Sequence, residues 1–69
     1  MTVEEFEQEA IALVRRAESA GLESQAIGGT LIGLAVAQAR EAGETIDVLH
    51  DCVDSSWQAV DHARKAGLA

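Results

Sequence analysis

The chain has 69 residues, one cysteine, no proline, and 12 acidic against 5 basic side chains, for a formal net charge of −7. A lone cysteine excludes an internal disulfide. The charge disfavours direct binding to nucleic acid or anionic lipid, and a single core in a chain this short supplies only about 3–5 kcal/mol of net stability.

Taken in chain order, the sequence predicts three helices and no strand. The start, Met1-Thr2-Val3-Glu4-Glu5, is acidic where a secretory leader would be basic and then apolar. Together with the free thiol, this gives a cytoplasmic location as the expectation. Thr2 followed by Glu5 has the spacing of a capping box and opens a helix over about 3–20. Along it Val3, Phe6, Ala10, Leu13, Ala17 and Ala20 recur three and four apart, a heptad-like apolar seam with Val14 at its edge. Ile11 stands apart, among Glu4, Glu7, Arg15 and Glu18 on the charged side.

The second helix, about 24–42, carries no charged residue from Ser24 through Ala39. Ile27, Leu31 and Leu34 share one face with Gln38, and Ile32, Val36 and Ala39 share a nearly opposite one. Gly29, Gly33 and Ala37 lie between them, each four apart. A helix that is apolar on two sides requires cover on two sides. The run falls short of the ~20 residues that span a bilayer and contains Thr30 and polar amides, so no membrane role is expected. Interior glycines cost about 0.5–1 kcal/mol each against alanine, and close approach of another helix is the simplest compensation.

The third helix, about 46–66, starts after Thr45 as N-cap. Ile46, Leu49, Val53, Trp57 and Val60 form an apolar stripe opposite Asp47, Asp51, Asp54, Gln58, Asp61 and Lys65. All three segments end on Ala-Gly, at Gly21, Gly43 and Gly67. Glycine there can take the left-handed conformation that caps the last carbonyls, with Leu22 and Leu68 folding back on the preceding turn.

Few residues suggest chemistry. Asp47, His50 and Asp54 fall on one side of the third helix, and Asp47-x-x-His50 has the carboxylate-x-x-histidine spacing of helical-bundle metal sites. They are the weak metal candidates; the competing interpretation is a boundary histidine beside acids. Cys52 points about 200° away from His50 and cannot form a nucleophile–base pair with it; it reads as a small buried hydrophobe. Ser55 and Ser56 have no base at triad geometry, and Gly28-Gly29 lies within a helix rather than in a phosphate-binding loop. Trp57 is either core filler or an interface anchor. No catalytic activity and no cofactor are expected.

The expectation is therefore an all-α, single-domain protein over residues 1–69, an up-down-up three-helix bundle that assembles as a homodimer. Three helices cannot cover both apolar sides of the second one as well as Ile11, and leftover apolar surface marks an interface. The interface candidates are Ile11, Gly29, Ile32, Gly33, Val36 and Trp57. In function this predicts an acidic protein-interaction module, a homodimeric adaptor or regulator, with a basic surface favoured on any other partner. An acidic inhibitor imitating nucleic acid and a metal- or ligand-binding bundle are the alternatives. Against the first of these, four aspartates over ~21 Å of helix are far sparser than duplex phosphates, one charge per ~1.7 Å.

Overall fold

The computed structural model describes residues 1–67, which form three α-helices and no strand: α1 (Val3–Ser19), α2 (Ser24–Glu41) and α3 (Ile46–Lys65). Each ends one residue short of the expected bound. The next residue is a half-helical cap, as at Ala20 (φ −81°, ψ 0°) and Ala66 (φ −83°, ψ −2°).

Local chemistry accounts for the ends. Gly21, Gly43 and Gly67 have φ of 92°, 76° and 73°, and no other described residue has positive φ. After α1, the Gly21 N–H donates to the Glu18 carbonyl and the Leu22 N–H to the Ala17 carbonyl, both at 3.0 Å. After α2, Gly43 donates to Arg40 at 3.1 Å and Glu44 to Ala39 at 2.9 Å. These paired reverse bonds are Schellman motifs, which satisfy carbonyls the helix itself leaves free. Gly67 donates to Arg64 at 3.1 Å; Leu68, expected to complete that motif, lies outside the described residues. Glu4 and Glu5 in the first turn of α1, Asp47 in that of α3, and Arg16, Arg40, Arg64 and Lys65 in last turns each meet the favourable end of a helix dipole.

At the start of α1 both halves of the capping box are made. The Thr2 N–H donates to Glu5 Oε1 at 3.0 Å and the Glu5 N–H donates to Thr2 Oγ1 at 3.1 Å. Thr45 repeats the first half, its Oγ1 accepting from the Val48 N–H at 3.3 Å. The Thr2 backbone N–H, and then the Thr2 side chain, hold the Glu5 carboxyl below its ordinary pKa. A carboxyl depressed on folding contributes stability at neutral pH and loses it as the pH falls through the depressed value. Thr2→Ala is expected to cost about 1 kcal/mol at neutral pH and to weaken the acid-side loss of stability only in part, because the Thr2 backbone N–H that chiefly holds the Glu5 carboxyl is kept. Urea melts at pH 7 and near pH 3 check both.

The chain divides into two compact units within α2, between Leu34 and Ala35. In the first, which holds α1 and the amino-terminal part of α2, the half-buried positions are Ala10, Val14, Ala17, Ile27 and Gly28. The seam of α1 is therefore centred nearer Val14 than the sequence pattern suggests, and Val3, Phe6 and Leu13 stay exposed. In the second, Leu49 and Ala63 on α3 are half-buried, and Ala39, at 7% exposure, is the one buried residue among those described. Alanine and glycine dominate these positions and each removes little apolar area from water. Of the larger apolar residues, Val14, Ile27 and Leu49 are half-buried, and most of the others are left in solvent.

Candidate interaction surface

The predicted interface residues lie on different helices and remain open. On α1, Ile11 is 48% exposed; on α2, Ile32 is 63% exposed and Val36 38%. Leu31 and Leu34, expected beneath the other helices, are exposed as well, so both apolar sides of α2 are open to solvent. Ala39, which the helical pattern groups with Ile32 and Val36, is buried. Gln38 is exposed and needs no protein partner for its amide.

The glycines of α2 correct one expectation. A Cβ added at Gly28, Gly29 or Gly33 would meet nothing within 4 Å, and none of the three has positive φ. Neither close approach nor backbone conformation within this chain requires glycine there. The cost of interior glycine in α2 is thus not offset by any contact in the protomer.

Trp57 is 76% exposed and so is not core filler within the chain. Together with Ala35 of α2 and Leu49, Cys52, Val53, Ser56, Val60, Asp61 and Arg64 of α3, it lines a groove of about 560 Å³, wholly within the second unit. The floor is apolar. One rim carries Trp57 and Asp61, with Asp54 one turn before Trp57 on the same edge of the helix; the other carries Cys52 and Ser56. Cys52 is exposed rather than buried, because its position at the border of the stripe turns it into the groove mouth. A shallower depression on the far side of Cys52 is lined by Val48, Asp51, Ser55 and Ser56.

Charges on α3 are solvated. Lys65 pairs with Asp61 at 3.0 Å, four residues apart and exposed, a geometry worth only a few tenths of a kcal/mol. Asp47, His50 and Asp54 do not form a metal-holding group, and no three His, Cys, Asp or Glu side chains do so among the described residues. They share one side of one helix, and no described residue of another element completes the set. No described helix is long and apolar enough to cross a membrane.

The open grooves and faces were legible only in part. The stripe on α3 follows from its period, but the groove also requires Ala35 of α2, placed there by the turn at 42–45. The small size of Ala35 was the one available signal. No protein-family model matches the chain, and comparison with curated proteins and with solved structures finds no match.

Proposed function

We propose that the protein is a non-catalytic interaction module, a homodimer of three-helix protomers that acts as an adaptor or regulator, with cytoplasmic location as its setting. The observation that carries this reading is α2: uncharged from Ser24 to Ala39, yet with Leu31, Ile32, Leu34 and Val36 all exposed. Exposed apolar residues scattered singly need no explanation, but apolar side chains left open on two sides of one uncharged helix, Leu31 and Leu34 on one and Ile32 and Val36 on the other, mark an interface. Open space at Gly29 and Gly33 lets a second helix approach closely across Ile32 and Val36, and such contact would offset the glycine cost left uncompensated within the protomer. A two-fold arrangement pairs α2 with its own copy, because that is the commonest closed symmetry. An uncharged face also tolerates self-pairing in a protein of net charge −7.

Light scattering across the micromolar range tests the reading. The expected mass is twice the 7.3 kDa of one chain. A monomer at several hundred micromolar would remove the reading's main support.

A further inference from the structure

The chain leaves much more surface open than its mass requires. A folded monomeric protein of 7.3 kDa exposes about 4,200 Å². This chain exposes 6198 Å², roughly 2,000 Å² in excess of that scaling. The open apolar residues occur in both units: Phe6 and Leu13 on α1, and Val53 and Trp57 on α3, besides the two sides of α2. We infer that the homodimer contact extends beyond α2, and that a second copy of this chain also covers the apolar stripe of α3, Trp57 included. The inference rests on the interaction-module reading and enlarges its interface.

Area carries the argument. The 18 residues of α2 offer a face ~27 Å long and ~10 Å wide, roughly 300 Å² in projection. Pairing α2 with its copy therefore uses only a small part of the excess. Two copies that each hide ~2,000 Å² bury ~4,000 Å² in all, which falls in the range of obligate homodimers, about 2,000–5,000 Å². The identity of the occupant follows from what a partner can supply. The largest apolar patch on a typical folded monomer is ~300–600 Å², too small to match this excess. A second copy presents the same excess and meets it across a two-fold axis. Charge permits the contact on α3 as it does on α2. In the groove, Asp61 is tied to Lys65 at 3.0 Å and Arg64 shares the lining, so one acidic chain can approach another there without net repulsion. Asp47 and Asp51 lie on the opposite side of the helix. Trp57 stands exposed at the edge of the stripe, a residue type enriched among interface hot spots.

Trp57 is the only tryptophan, so its fluorescence reports cover over α3 separately from cover over α2. Solution mass, Trp57 emission and acrylamide quenching are read on the same samples of the intact chain, with N-acetyl-tryptophanamide as the fully exposed reference. In samples with the mass of a dimer, emission is expected to lie to the blue of the reference and quenching well below it. Val53→Glu is expected to raise the dimer dissociation constant at least ~tenfold, because the buried side chain is lost on both copies. Gln58→Glu adds the same charge on the opposite side of α3 and is expected to change it no more than about twofold. Circular dichroism checks that each variant keeps its helices; should Val53→Glu not fold, quenching of the parent decides alone. Added salt is expected to tighten the dimer, since it screens two chains of net charge −7. A dimer whose Trp57 is quenched as freely as the reference, or a folded Val53→Glu that dimerises like the parent, would confine the contact to α2 and sink this inference alone. A monomer at several hundred micromolar sinks the module reading as well.

Discussion

Replacing Ile32 and Val36 together by aspartate is expected to yield a monomer where the parent chain is a dimer. Burying one large aliphatic side chain is worth about 1.5–3 kcal/mol, and both residues are partly covered already, Val36 more than Ile32, so each contributes the lower part of that range. A two-fold interface loses each contribution twice, and four carboxylates then face one another across it. A loss of at least ~3 kcal/mol follows, a rise of about 100-fold or more in the dissociation constant. Sedimentation or light scattering over a dilution series measures it. Helix content, read at a concentration where both proteins are monomeric, separates loss of the interface from loss of the protomer's own fold. A double variant that remains dimeric would place the interface elsewhere. Gly33→Leu offers a companion test with opposite signs. The added side chain meets nothing within 4 Å of its Cβ in the protomer and raises helix propensity, yet it holds apart two helices that approach across Gly29 and Gly33.

The second large effect concerns the glycines at helix ends. Gly21→Ala and Gly43→Ala each force an L side chain into a φ of 92° or 76°, at a cost of about 1–2 kcal/mol per site. Open space around both positions does not relieve this, because the strain lies between the new Cβ and its own backbone. The double variant is expected to lose ~2–4 kcal/mol, most of the net stability of a core this small, and to be largely unfolded at 37 °C as an isolated protomer. Gly28→Ala is expected to do the reverse. It sits in ordinary helical conformation with nothing within 4 Å of the added methyl, so it gains roughly 0.5–1 kcal/mol from helix propensity. Thermal melts of the variants, read side by side, separate backbone strain from packing. If Gly21→Ala melted like the parent, the capping account of all three helix ends would be wrong.

The helices and their ends were determined by the sequence alone, because every signal there is local. Thr2 and Glu5 are three residues apart and bond each other; Thr45 lies three residues from the Val48 N–H it caps; Gly21, Gly43 and Gly67 each terminate the turn that precedes them. Bonds that close within four or five residues depend on little beyond those residues. The apolar stripe of α3 and the uncharged run of α2 belong to the same class, since helical periodicity alone fixes which side chains share a face. Burial is decided by what packs against each face, and period cannot supply that. Only the tertiary structure covered the small seam residues in part, with Ala39 buried, and left Leu31, Leu34, Cys52 and Trp57 in water. Only it joined Ala35 to α3 as one wall of a groove, showed empty space beside Gly29 and Gly33, and left Asp47, His50 and Asp54 as neighbours on one helix rather than as a ligand set. These outcomes depend on distances between residues far apart in the chain, and a pattern read along a single helix carries no such distance.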